Sequence, residues 1–230
     1  MNKKPELDIK GFAVVTEVYD TTEIAQLRNI LDAYCSQLDQ SKPVHAIRRA
    51  IEKIPELNLI LWNENIKNLI SDIGGPDYFL TKAIYFDKPE ESNWFVGYHQ
   101  DLSISVSEKH DLNNYKNWTK KEGQIGVQPP YEILENILTL RVHLDDTNKN
   151  NGALKLIPSS HKWGIKRIQE VSTETEEICN VPTGAVMLMK PLTFHASSRS
   201  KDQKRRRVLH LEFSNIELET PLQWNEKLVV

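Results

Sequence analysis

Three His-x-acid tripeptides stand out among the 230 residues: His99-Gln100-Asp101, His143-Leu144-Asp145 and His210-Leu211-Glu212. Residues i and i+2 of a strand point the same way, so each pair could offer an imidazole and a carboxylate to one metal ion. Two imidazoles and a carboxylate on one face of an octahedron form the ligand set of a non-haem Fe(II) oxygenase, with positions left open for cosubstrate and O2. With 7 His and 32 acidic residues in the chain, about one such pair is expected by chance, so the tripeptide alone decides nothing.

Context separates the three. His143-Leu-Asp145 runs into the turn cluster Asp145-Asp-Thr-Asn-Lys-Asn-Asn-Gly152, where Asp145 suits a turn carboxylate bonded to nearby backbone amides. His210-Leu-Glu212 has no histidine after it and reads equally as a polar strand face beside Arg206. His99-Gln-Asp101 allows a dyad first, a single histidine later and an arginine beyond. That histidine is His195, in Thr193-Phe-His-Ala-Ser197. A lone histidine there is ordinarily structural. Ser197 lies on the same face if the segment is extended, and Arg206 opens the last strong strand. A dicarboxylate such as 2-oxoglutarate chelates iron by one end and needs a cation for its distal carboxylate. The planar arginine fork suits that task, and a serine hydroxyl can add a hydrogen bond. Lys204 and Arg205 read as a solvated basic turn; Arg206 does not.

These residues need a frame. Asp20-Thr-Thr-Glu23 is a capping box that starts a helix, continued by Ile24, Leu27, Ile30, Leu31 and Tyr34 at helical spacing to Leu38. Further helical patterns cover roughly 44–53 and 57–73, and Gly74-Gly75-Pro76 stops the second. A β-rich run at 11–16 precedes the helices. Beyond Pro76 the character is β: strands are expected at 78–86, 137–144, 154–157, 185–189, 192–197 and 206–213. Helices first and then about eight strands, without a βαβ rhythm, predict an α+β protein with a mostly β core, built on an antiparallel barrel or sandwich. Residues 138–144 alternate apolar side chains with Thr139, Arg141 and His143, as expected where one sheet face lines a polar pocket. Residues 106–130 read as a long loop of the kind that covers active sites.

The totals exclude several classes. Lys plus Arg is 29 against 32 acids, a net charge of −3, which gives no nucleic-acid footprint. Two cysteines, Cys35 and Cys179, make no disulfide framework and read as small, partly buried hydrophobes. No secretory signal and no bilayer-spanning run is seen, so a soluble, cytoplasmic protein is expected. At 39% apolar residues the chain can fill one core, so a single domain over 1–230 is expected, helical over about 20–75 and barrel over about 78–215.

The chain resembles the phytanoyl-CoA dioxygenase family of Fe(II)/2-oxoglutarate oxygenases from about residue 10 to about 224. Four ordered blocks carry the likeness: Ala83-Ile-Tyr-Phe-Asp-Lys-Pro before Trp94-Phe-Val-Gly-Tyr-His-Gln-Asp101; Leu140-Arg-Val-His-Leu-Asp-Asp; Asn151-Gly-Ala-Leu with Ile157-Pro-Ser-Ser-His161; and His195-Ala-Ser-Ser with Arg206-Arg-Val-Leu. The resemblance implies a double-stranded β-helix (jelly-roll or cupin-like) with helices outside, and Fe(II) and 2-oxoglutarate as cofactor and cosubstrate. It also implies His99, Asp101 and His195 as metal ligands, with Arg206 and Ser197 on the cosubstrate. Asp101 favours hydroxylation, because members that halogenate lack this carboxylate. His161 matches a recurrent feature and is read as structural or supporting. Two departures are visible: Ser159 stands where glycine is usual, and Arg141 where many members carry an aromatic residue. Arg141 is therefore a candidate for cosubstrate or anionic substrate. Lys82, Arg48, Thr139 and Tyr98 complete the candidate pocket residues, a surface charge being the alternative for Lys82 and Arg48.

The expected activity is oxidation of a small organic molecule, with no nucleic-acid or membrane partner. Two other readings stand beside it: a cupin-like isomerase using Zn or Mn, which has no use for Arg206, and a non-catalytic binding module on the same fold, which has no chemical reason to keep all three ligands. Nothing in the sequence names the substrate, a CoA ester included.

Overall fold

The structure, a computed structural model, describes residues 3–39, 41, 45–89, 95–202 and 204–230. The N-terminal helices form where the sequence caps them. The helix Thr21–Ser36 begins at a reciprocal box in which the Glu23 amide donates to Asp20 and the Asp20 amide to Glu23. It buries Ile24, Leu27 and Leu31. The helix Glu64–Gly74 is capped by Asn63 and ends at Gly75, whose φ of 105° few other residues adopt. Shorter helices span Lys4–Lys10, Ala50–Lys53, Asn58–Leu61 and Tyr131–Asn136.

Three antiparallel sheets follow. The large sheet has the order β1 (Phe12–Val15), β11 (Val186–Met189), β8 (Leu138–His143), β13 (Arg206–Ser214), β3 (Phe79–Lys88), β2 (Ala46–Arg48). Facing it is a four-stranded sheet, β10 (Glu177–Cys179), β9 (Leu154–Leu156), β12 (His195–Ser197), β4 (Val96–His99). These two sheets form the double-stranded β-helix. A three-stranded sheet, β5 (Ile104–Val106), β7 (Gln124–Gln128), β6 (Lys116–Lys121), completes the set.

Strand alternation divides the large sheet into two faces. Leu140, Val142, Leu209, Leu211, Ala83 and Tyr85 face outward, where Leu27, Leu31, Leu57 and Leu61 of the helical layer cover them. Arg141, Arg206, His210, Glu212, Lys82 and Lys88 come from the same three central strands and line the space between the sheets. Phe12, Leu154, Leu156, Met187 and Met189 close one part of that space with apolar packing. The polar residues occupy the rest.

Three expectations need correction. Within 44–53, the described residues form β2 and only one short helix, because Ala46–Arg48 pairs with β3 instead of continuing the helical pattern. Val44 lies outside the described residues. The stretch 106–130 is not a loop but contains β6 and β7, which with β5 form a sheet whose side chains help line the space between the other two sheets. Beyond Pro76, eleven strands, β3 to β13, are found among the described residues instead of about eight, because short edge strands carry too few residues to show a period of two. Ser159 has φ 64°, the left-handed region in which glycine is usual. Its hydroxyl and amide donate to the Ile9 and Lys10 carbonyls, offsetting that strain. No helix of the described residues is long and apolar enough to cross a membrane.

Candidate active site

Antiparallel pairing of β12 with β4 sets His195 directly opposite His99. Their rings lie 4.3 Å apart, centroid to centroid. Asp101 follows two residues after His99, its amide tied to the Pro191 carbonyl at 2.9 Å. Between them, the Gln100 side chain donates to the Gly164 and Leu192 carbonyls and accepts from the Lys166 amide, which pins the segment. Each imidazole makes the same local bond: Nδ1 of His99 to the Gly97 carbonyl, and Nδ1 of His195 to the Thr193 carbonyl, both at 2.9 Å. A carbonyl can only accept, so each Nδ1 donates, and in the neutral ring that leaves the lone pair on Nε2. Both Nε2 atoms face Asp101, at 3.7 Å from Oδ1 and Oδ2 respectively.

Electrostatics prepare this group for a cation. Burial, only partly offset by Asp101, depresses the His195 pKa to about 4, so the ring is neutral at pH 7. Burial would raise Asp101, but His195, His210, His99 and Lys82 outweigh it and hold the carboxyl at about 2. The site thus presents the neutral His195 ring and one anionic carboxylate, with the His99 ring beside them.

Arg206 enters the same cavity from β13. Its neighbours point outward: Arg205 pairs with Asp87 and Asp32, and Arg207 with Asp145 and Asp32. Arg205 is therefore an anchored ion pair and not the solvated turn expected. These pairs fix the register in which Arg206 faces in. Arg206 is 8% exposed; its Nη1 donates to the Gly152 carbonyl and its Nε has no partner among the described residues. Ser197 Oγ donates to the same carbonyl at 2.9 Å. Gly152 has φ 85°, and a Cβ there would lie 2.8 Å from the Ser198 carbonyl, so only glycine brings this backbone so close. Burial first, and Arg141 second, lower the Arg206 pKa to about 9. It stays charged at pH 7 in a setting that disfavours the charge.

The other two His-x-acid pairs serve different ends. His143 is buried on Thr147, while Asp145 turns outward to grip Arg207 and Arg28. His210 and Glu212 belong to a buried chain: Arg141 donates to His210 Nδ1 at 2.9 Å, His210 Nε2 to Glu212 at 3.0 Å, and Lys82 pairs with Glu212 at 2.7 Å. Asp145→Ala is expected to leave metal stoichiometry unchanged while costing about 2–3 kcal/mol, because Arg207 loses its bidentate partner. Metal analysis and a melting curve on the same preparation check both halves.

The cavity is 630 Å³ and is lined by Arg48, Lys82, Arg141, His99, Asp101, His195, Ser197 and Arg206 among others. Thr139 and Tyr98 do not reach it. Thr139 is fully buried below the cavity floor, and Tyr98, on the opposite side of β4 from His99, bonds Glu176. Sequence reasoning missed Lys88, which faces Arg206 across the β13–β3 register and whose pKa burial and Arg206 lower to about 8. Its even spacing from Lys82 on one strand was the available signal. It also missed Asn117, Thr119, Gln124 and Gln128 of the covering sheet. His161 lies outside this cavity, beside a smaller one lined by Asp8 and Lys190.

The phytanoyl-CoA dioxygenase (PhyH) family model matches residues 7–208. No curated protein matches the chain in sequence. Among solved structures, EctD from S. alaskensis with 2-oxoglutarate and 5-hydroxyectoine is similar at TM-score 0.71 and 15% identity, over 95% of this chain and 78% of that one. HygX from Streptomyces hygroscopicus, with nickel and 2-oxoglutarate bound, is similar at TM-score 0.66 and 15% identity, over 93% and 87%. SnoK, a non-heme alpha ketoglutarate dependent carbocyclase from nogalamycin biosynthesis, is similar at TM-score 0.68 and 14% identity, over 93% and 83%. Likeness at that identity speaks for the fold, whereas the family model spans most of the sequence and both site strands. The chain belongs to the phytanoyl-CoA dioxygenase family.

Proposed function

We propose that the protein is an Fe(II)- and 2-oxoglutarate-dependent oxygenase of a small molecule, with His99, Asp101 and His195 as metal ligands and Arg206, helped by Ser197, as the clamp on 2-oxoglutarate. The observation that carries this is the pair of Nε2 lone pairs aimed at one carboxylate. At 3.7 Å the contacts are too long for hydrogen bonds. They are close to the spacing of neighbouring donors around one ion, so the donor set fits a divalent metal. Two nitrogens and a carboxylate suit iron and leave coordination positions for other ligands. We read the chain as one domain, since helices and barrel strands share one core.

Iron and 2-oxoglutarate, when bound, supply the oxidising chemistry: O2 is consumed, 2-oxoglutarate becomes succinate and CO2, and an oxygen atom is available to the substrate. The chain's residues orient and shield. The Nδ1 bonds to Gly97 and Thr193 fix both rings, in the way outer partners orient metal-bound histidines. Arg206 offers a charged fork on the cavity wall, and Ser197 a hydroxyl beside it. The covering sheet of β5–β7 restricts water. Asp101 fills the carboxylate position, favouring hydroxylation. Stoichiometric conversion of 2-oxoglutarate to succinate with Fe(II), measured by NMR, tests the proposal. Absence of both metal uptake and 2-oxoglutarate binding would sink it.

Lys88 adds a pH dependence. Its pKa of about 8 lies below the ordinary 10.5, and a dicarboxylate beside it favours the protonated form. Binding therefore takes up a proton where free Lys88 has lost one. 2-Oxoglutarate affinity is expected to fall as pH rises through 8, by about tenfold per unit at most. Calorimetry at pH 7, 8 and 9 in buffers of different ionisation enthalpy checks the sign, and Lys88→Met should flatten the profile.

A further inference from the structure

We infer that the substrate is a small anion, and that Arg48 and Gln124 at the mouth of the cavity bind its acidic group. This rests on the oxygenase reading for the inner half of the cavity and extends it to the outer half. Among the described residues, the lining holds six basic side chains, Arg48, Lys82, Lys88, Lys121, Arg141 and Arg206, against two carboxylates, Asp101 and Glu212. The whole chain carries −3, so the cavity is opposite in sign to the protein around it. A divalent iron and a doubly charged 2-oxoglutarate cancel each other, so loading the site leaves the positive excess in place.

Most of these cations have work already. Lys82 is neutralised by Glu212 and donates to the Ser103 carbonyl. Arg141 is held by His210 and lies over Phe86. Arg206 and Lys88 flank the position proposed for 2-oxoglutarate. Arg48 and Lys121 remain, on β2 and at the end of β6, where the covering sheet meets the large one. Among the described residues Arg48 has one acid within reach, Glu122 at 3.7 Å, whose side chain is 61% exposed. Such a pair contributes little in water.

Two buried donors at this end make no hydrogen bond among the described residues: Arg48 Nε, which stands 3.7 Å from the Glu122 carboxylate, too far to donate to it, and the amide nitrogen of Gln124, which is 6% exposed. Glu122, beside Arg48, is two residues from Gln124 in the β6–β7 turn, so both donors serve one end of the cavity. A buried donor without an acceptor is destabilising, and an incoming oxyanion relieves that cost. By contrast, Asn117 and Gln128 in the same sheet satisfy each other at 2.7 Å. A neutral acceptor would satisfy Gln124 but leave the charge uncompensated. A carboxylate or a phosphomonoester satisfies both. The cavity volume is mid-range for small-ligand pockets, so cosubstrate and a small acid share it.

The test loads the protein with Ni(II) and 2-oxoglutarate. Calorimetry then follows a panel of small hydroxy- and amino-carboxylates and sugar phosphomonoesters, each against its neutral amide or dephosphorylated counterpart. At least one acid is expected to bind about tenfold or more tightly than its neutral counterpart, and Arg48→Gln to reduce that gap to about twofold. Carboxylates and phosphomonoesters are ranked by the same titrations. Gln124→Leu should weaken the acid too, and carries the test if Arg48→Gln does not fold. The proposal is overturned if no acid binds, if neutral counterparts bind equally, or if the folded variants keep the full gap. Failure of the protein to take up 2-oxoglutarate counts against the oxygenase reading instead. The acids are then titrated into unloaded protein, where the same preference and dependence on Arg48 are required.

Discussion

Asp101→Ala is expected to weaken Fe(II) binding at least about a hundredfold, on the order of 3 kcal/mol, and to abolish metal-dependent turnover of 2-oxoglutarate. Asp101 is the anionic donor of the three, and the ring nitrogens alone give a neutral, two-point site. Its charge is also the counterweight to a cavity rich in cations. With a pKa held at about 2, below the usual 3.8, Asp101 contributes stability that is present above pH 3.8 and lost as pH falls through 2. Its removal should therefore lower the melting temperature of the metal-free protein slightly, and that loss must be separated from the loss of metal. Asp101→Asn keeps the shape and removes the charge, so it should bind metal as weakly as Asp101→Ala. Metal content by mass spectrometry and succinate formation by NMR read the two effects independently. A variant that retains one Fe per chain with unchanged succinate yield would remove Asp101 from the ligand set.

How the sequence exposed this site, and where it did not, follows from range. The ligand pair His99 and Asp101 is local, so its spacing is visible, but spacing could not reject His143-Asp145 or His210-Glu212. What separates them is their long-range partners. Asp145 is claimed by Arg207 and Arg28, and Glu212 by Lys82, all distant in the chain. The capped helix at 21–36 and the alternating strand at 138–143 were legible because their periods run over several residues. The β2 strand was not, since three residues cannot distinguish a period of 2 from one of 3.6. The Lys116–Gln128 hairpin reads as loop because its exposed strand β6 has almost no apolar face. Lys88 escaped notice because its role depends on Arg206 opposite it in the register, and register is not written in one strand alone.

Arg206→Met is expected to raise the KM for 2-oxoglutarate by about a hundredfold or more while leaving the metal-free protein as stable as before, or more so. The affinity half follows from the removal of a bidentate, charge-assisted contact. The stability half follows from the surroundings of Arg206 in the absence of a dicarboxylate. It is buried, near Arg141 and Lys88, and its acceptor among the described residues is a single backbone carbonyl. A cation in that position carries a desolvation cost that no carboxylate of the described residues offsets. Methionine fills similar space without the charge and relieves Lys88, whose pKa should climb from about 8 toward its ordinary value. A purely structural arginine would behave in the opposite way: its loss would lower the melting temperature and leave 2-oxoglutarate affinity nearly intact. The same variant separates this enzyme from a metal-dependent isomerase on the same barrel, which would keep its activity without the arginine. Melting curves with and without 2-oxoglutarate in the presence of Ni(II) measure both halves together. The wild type should gain stability on adding cosubstrate, and Arg206→Met should start level with it or higher and gain almost nothing.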